Sequence, residues 1–465
     1  QKRRKRKMKK LQKHRQSGIT LIALVVTILI IIILAGVTIN LTVGENGIFS
    51  KAKYAKEKYT NEEYLEQEQL NELYAYLAKD NSLPENTKDT DAGTQVKLPS
   101  SWYTTTAAYV STEDGKTVTK EVKTASVIAV ATGSGETVPV PNGFYYVGGN
   151  KSTGVVISDN EADQNKYAGY EADGTTAKAV GVDLQGNQFV WIPCTIKEYK
   201  KCNTWNGINQ TNGTLANANW ETQTNSGEKV QIEKYEGFYI GRYEAGTSNI
   251  KGIDFANIST TGWTTDTAKY MNVTSGSITT KANEIPWYHA NYKTAVEMSE
   301  NMYTKDTKRN KYVRAGLVTG TMWDVMLNVM VAKTSCNVTS GQEWGNYYNN
   351  SWTISKGLYC EVDSNGGHNA WQTVSTSYSK AENSRVILST AANSSFEKYN
   401  IYDISGNLWE WTQEAAYNTD TTERYMLRGC GFDSKYSVNP ACYRGHRAMT
   451  HTGTNYGFRP ALYIK

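Results

Sequence analysis

The hydrophobic pattern begins with one long block. Ile19 to Val43 is a run of 25 residues without a charge, about 38 Å as a helix and enough to cross a hydrocarbon core. After a break at Gly44-Glu45-Asn46-Gly47, the charged segment Ile48 to Lys79 places Leu70, Leu73 and Leu77 on one stripe, which predicts a stalk helix. Residues 80–100 hold Pro84 and Pro99 among polar residues and read as a linker. Val118 to Lys123 and Ser126 to Ala131 are rich in Thr, Val and Ser and predict the short strands of a β spacer. From about Val138 aromatic runs alternate with Gly and Asn turns, opening with Gly143-Phe144-Tyr145-Tyr146-Val147-Gly148-Gly149. No repeat period points to a solenoid. The expected organisation is a leader (1–18), a transmembrane and stalk helix (19–79), a linker and spacer (80–137) and a large domain (138–465).

Composition supports a packed body: 39% of the 465 residues are hydrophobic and 20% charged, with 12 Trp and 32 Tyr to fill cores or contact ligands. The net charge of +5 is local. Ten Lys or Arg fall between Lys2 and Arg15, and without them 40 basic residues face 45 acidic ones, which argues against a nucleic-acid-binding body. A basic leader before an apolar span instead favours a cytoplasmic N-terminus with the remainder outside the cell. A secretory signal peptide is the competing reading. Its apolar region is usually shorter, and Ala35-Gly36 would be a weak cleavage site.

The order of basic leader, Ser17-Gly18 and then Ile19-Thr20-Leu21-Ile22-Ala23-Leu24 resembles a type IV prepilin N-terminus. The resemblance implies peptidase cleavage between Gly18 and Ile19, with the helix kept as anchor and stalk. Pilins usually carry Glu at the fifth mature residue, where this chain has Ala23. That argues against a long filament and leaves a minor pilin, a pseudopilin or a simple anchor, with other pilin-like subunits as conceivable partners. Further on, Gly149-Asn150-Lys151-Ser152 has the look of a phosphate loop, but Asn150 stands where glycine is required, so a strand and turn is expected.

A set of segments recurs in the order of one family. Phe189-Val190-Trp191-Ile192-Pro193, Gly237-Phe238-Tyr239-Ile240-Gly241-Arg242-Tyr243-Glu244 and Ile285-Pro286-Trp287 come first. Gly320-Thr321-Met322-Trp323-Asp324, expected on a helix, and Trp344-Gly345-Asn346, expected in a loop, come next. Asp403-Ile404-Ser405-Gly406-Asn407-Leu408-Trp409-Glu410-Trp411, Arg428-Gly429-Cys430-Gly431-Phe432 and Gly457-Phe458-Arg459-Pro460-Ala461-Leu462 complete the set. Together they resemble the formylglycine-generating-enzyme, or sulfatase-modifying-factor, family. The resemblance implies an α+β body with a variant of the C-type lectin fold behind the long N-terminal helix.

It also implies structural calcium, held by the side chains of Asp403 and Glu410 and the carbonyls of Gly406 and Leu408. A hard cation with oxygen ligands suits a buried turn between two indoles, and a turn closed by hydrogen bonds alone is the alternative. The enzymes' copper-binding cysteine pair is incomplete. Its first position falls near Asp433 to Lys435, which holds no cysteine, while Cys442 resembles the second. Relatives that bind iron use clustered histidines, and here only His446 and His451 are close. The cysteines Cys194, Cys202, Cys336, Cys360, Cys430 and Cys442 contain no Cys-x-x-Cys, which argues against zinc and leaves disulfides or buried thiols open.

Two functions follow. One is a surface-displayed binding protein for an extracellular protein or glycan, like those proteins of this fold whose C-terminal segment is diversified by retroelements. Tyr443, Arg444, His446, Arg447, His451, Asn455 and Tyr456 would then form an exposed patch, rich in residue types that dominate recognition. The other is an extracytoplasmic oxidase of the formylglycine-generating type, against which the missing cysteine counts.

Overall fold

The computed structural model describes residues 83–113, 116–202, 226–246, 278–417 and 423–465. The leader, residues 19–43 and the expected stalk lie outside them. Among the described residues no helix is long and apolar enough to cross a membrane.

The chain divides into two units. In the smaller unit the described residues are 108–113 and 116–122, within the paired strands Thr104–Glu113 and Lys116–Thr124. The larger comprises Asn81–Ala107 and Lys123–Lys465 and is mixed but strand-rich. Its frame is β1 (Tyr145–Gly148), β2 (Val155–Ser158), β3 (Gln188–Pro193), β4 (Gly237–Gly241), β5 (Val313–Leu317), β6 (Trp409–Tyr417), β7 (Glu423–Arg428), β8 (Gly445–Arg447), β9 (Tyr456–Phe458) and β10 (Pro460–Ile464). Three α-helices are described with it: α1 (Ser226–Tyr235), α2 (Tyr292–Asn301) and α3 (Gly320–Thr334).

The main sheet has the order β5-β10-β4-β3-β2-β1, antiparallel throughout, with Trp191 opposite Tyr239 and Ala461 opposite Ile240. Its strands are buried along nearly their whole length because both faces are covered, so they read as continuous apolar runs rather than alternating ones. Phe189, Trp191 and Tyr239 belong to one core cluster; Val190, Ile192 and Ile240 join Met322, Trp323 and Met326 of α3 in the other. The Thr319 hydroxyl caps α3 by accepting the Met322 amide at 3.2 Å.

A second sheet, β8-β7-β6-β9, is built on the Trp-Glu-Trp segment. β6 pairs parallel with β9, Trp409 opposite Tyr456 and Trp411 opposite Phe458, and antiparallel with β7. In the Arg428 to Phe432 motif the strand ends at Arg428. Gly429 and Cys430 take φ of 78° and 72°, a left-handed turn that no strand continues through. The expected boundary at Val138 falls inside a strand, Thr137–Pro141, that pairs residue for residue with Val127–Ala131. Gln95–Val96 joins the same sheet and Trp102 reaches the core, so part of the expected linker is packed structure. The Gly149 to Ser152 stretch is a turn, in which Asn150 Oδ1 accepts the Ser152 and Thr153 amides.

Candidate functional site

Two places gather the polar residues singled out by the sequence. The first is a cavity of about 490 Å³ between the segment after β7 and strands β6 to β9. Six of the seven residues expected in a ligand patch line it: Tyr443, His446, Arg447, His451, Asn455 and Tyr456. They form a recess rather than an exposed patch, since Asn455 is 4% and Tyr456 5% exposed and only Arg447 is open to solvent.

Sequence reasoning missed much of the rest of the wall: Trp409, Leu427, Asp433, Ser434, Asn439 and Gly445. For Trp409 a signal existed. Side chains on a strand alternate, so Trp409 and Trp411 share one face of β6 while Glu410 takes the other. Trp411 is locked by its indole N–H on the Ala290 carbonyl (2.8 Å), and Trp409 packs edge-on to Tyr443 at 5.8 Å between ring centres. Gly445 permits this, because a Cβ there would sit 2.9 Å from the Trp409 ring. Asn455 donates to both oxygens of Asp433 (2.9 and 3.0 Å), and its own Oδ1 is buried without a hydrogen-bond partner. Burial, then the guanidiniums of Arg447 and Arg424, hold His446 and His451 below the usual imidazole range. Both are neutral at pH 7.

Arg444 does not line the cavity. It is 3% exposed, and its guanidinium donates to Asp324 of α3 and to Glu414 of β6 (2.9 Å for Nε to Glu414). Arg428 meets the same two carboxylates at 2.7 and 3.4 Å, and Lys201 lies 3.4 Å from Glu414. Arg428 also donates to the carbonyls of Cys442 and Tyr443 (3.3 and 3.1 Å). The buried charges therefore hold the backbone behind the cavity wall. A polar segment reveals its composition but not which of its side chains turns inward, and that is why Arg444 was misassigned.

The second place surrounds the Asp403 to Glu410 loop. Asp403, Gly406 and Asn407 have φ of 59°, 74° and 60°, and a Cβ at position 406 would lie 2.2 Å from the Asn346 carbonyl oxygen, so only glycine fits. Glu410 is gripped on both oxygens by Arg459 (2.8 and 3.1 Å). Glu244, not foreseen as part of this site, accepts the Leu408 amide (3.1 Å) and the Asn407 side chain (2.6 Å). Asp403 Oδ2 accepts the Ala391 amide at 3.0 Å while Oδ1 has no partner. Burial above all pushes the Asp403 carboxyl up to about 7 and raises Glu244 and Glu410 as well, while Arg459 opposes the rise at each. Three buried carboxylates thus share one guanidinium, a charge balance that suits a divalent cation. The geometry is less complete: among the described residues no three His, Cys, Asp or Glu side chains form a metal-binding group.

No two of the six cysteines are bonded in the structure. Burial pushes the Cys442 thiol up to about 11 and raises Cys430 further. Neither is a thiolate at neutral pH.

Among the described residues, fold and site together define a strand-rich domain that holds a polar-aromatic recess on a frame braced by buried ion pairs. The chain belongs to the sulfatase-modifying factor enzyme 1-like domain family, whose profile matches residues 128–464. No curated protein matches it. Similar solved structures include one titled CarF, at 13% identity over 49% of this chain and 87% of that one with a TM-score of 0.28. PvdO from Pseudomonas aeruginosa is 13% identical over 61% of this chain and 98% of its own, with a TM-score of 0.29.

Proposed function

We propose that the chain is a membrane-anchored receptor, displayed at the cell surface, whose sulfatase-modifying-factor-like domain, of C-type lectin type, binds an extracellular protein or glycan in the cavity beside Trp409. The observation that carries this reading is the convergence of Tyr443, His446, Arg447, His451, Asn455 and Tyr456 on one recess, while Arg428 and Arg444 hold the backbone behind it. Such a segment can vary the side chains that line the recess on a fixed frame, as a retroelement-diversified receptor would. The prepilin-like N-terminus, cut between Gly18 and Ile19, supplies the anchor through residues 19–43. Calcium held by Asp403, Glu410 and the carbonyls of Gly406 and Leu408 stiffens the loop that leads into β6. An oxidase reading asks for a reactive thiolate pair. Cys430 and Cys442 are buried with raised thiol pKa values, and no cysteine stands between Asp433 and Lys435.

The test is the triple variant Tyr443→Ala, Arg447→Ala and Tyr456→Ala against a glycan and protein array. Truncated aromatic and Arg anchors typically cost about 2 kcal/mol or more each, so binding falls below detection while circular dichroism stays near wild type. Binding that survives all three changes places recognition elsewhere.

A further inference from the structure

The polar groups of the cavity are of opposite kinds. At Asn455 the ligand meets acceptors: the Asp433 carboxylate, already given two hydrogen bonds by the Asn455 amide, and Asn455 Oδ1, which is buried and lacks a donor. At the β7–β8 side it meets a cation: Arg447 lines the cavity beside His446, on the strand that pairs with β7 through Tyr425 and Met426. Between them stand the rings of Trp409, Tyr443 and Tyr456.

This arrangement excludes simpler occupants. A bare inorganic anion would satisfy the Arg447 guanidinium and leave the buried Asn455 Oδ1 without a donor. A cationic ligand would suit Asp433 but face Arg447. A peptide carboxylate brings the charge without a row of hydroxyl donors beside it. A volume of about 490 Å³ lies within the range of roughly 300–1,000 Å³ for small-molecule sites.

Building on the reading of the cavity as a ligand site, we propose that it takes a sugar acid. The carboxylate lies on Arg447, ring hydroxyls donate to Asp433 and Asn455 Oδ1, and the ring's apolar face packs on the aromatic wall.

Calorimetric titration of the full chain with oligogalacturonate, its methyl ester, a neutral oligosaccharide, sulfate and polyglutamate tests this. Oligogalacturonate is expected to bind, the ester and the neutral sugar at least about tenfold more weakly. Arg447→Ala should lose a similar factor for the acid alone, and Asp433→Ala should weaken the acid and the neutral sugar alike. Equal affinity for the ester, or tighter binding of sulfate or polyglutamate, overturns the sugar-acid assignment. If no saccharide binds but another ligand is found whose binding the triple variant abolishes, the sugar acid is wrong and the cavity reading stands. A ligand that binds the triple variant unchanged overturns both.

Discussion

Asp403 has a positive φ, a buried side chain and one carboxylate oxygen without a donor. Its neighbours Glu244 and Glu410 raise the cost, because like charges in a water-free site oppose one another's ionisation and Arg459 is committed to Glu410. A divalent cation, as proposed for this loop, would offset that charge. Removing calcium with chelator is therefore expected to lower the melting temperature by a few degrees, since a ligand present at 100 times its Kd contributes about 2.7 kcal/mol, and the shift per kcal/mol shrinks as a domain grows. Asp403→Asn keeps the acceptor for the Ala391 amide and removes the charge. The variant should melt above wild type in chelator and gain little from calcium. If calcium leaves the wild-type transition unchanged and native mass spectrometry finds none bound, the loop is closed by hydrogen bonds alone. Asp403 and Glu410 could be named from the sequence because they stand in one short motif. Glu244 could not, because its bond to the Leu408 amide spans 164 residues and only folding creates it.

At the scale of elements, legibility followed the range of the forces involved. The segment Gly320 to Asp324 was read as helical, and α3 is a helix fixed by its own cap. The aromatic runs between Gly and Asn turns became the main sheet. The end of β7 is not legible in the sequence, because nothing in Gly429 and Cys430 announces the left-handed turn they make. Arg444 was misread because the carboxylates that bury it come from α3 and β6. Its replacement gives a direct measure of the buried charge cluster. Arg444→Ala is expected to cost about 3 kcal/mol, near the low end for breaking a buried pair, since Arg428 and Lys201 still face Asp324 and Glu414. Arg444→Lys should recover only part, lacking the fork that reaches both carboxylates. Urea midpoints decide the matter, with exposed Arg447→Ala as the control that stays near wild type. A loss of less than about 1 kcal/mol for Arg444→Ala would show that the cluster contributes no more than a surface pair.

For the whole molecule, the proposed function requires the domain to sit outside the cell, and that rests on the physics of residues 1–43. The basic leader and the uncharged run of 25 residues predict an orientation: cytoplasmic positive charge would hold the N-terminus inside, and everything after the span would be translocated. The acidic excess of the rest of the chain fits that division, since a net negative body is not drawn to an anionic leaflet. Two measurements follow from one model of insertion. Protease added to intact cells should remove the C-terminal domain while a tag on the leader stays protected. N-terminal sequencing of the mature chain should then start at Ile19, as cleavage after Gly18 requires. The outcomes separate the anchor from its processing. A protected C-terminal domain overturns the receptor topology, whereas an exposed domain on a chain starting near Gly36 indicates a signal peptide and a freely released protein. An exposed domain on a chain that retains its leader keeps the anchor and removes the prepilin peptidase from the account.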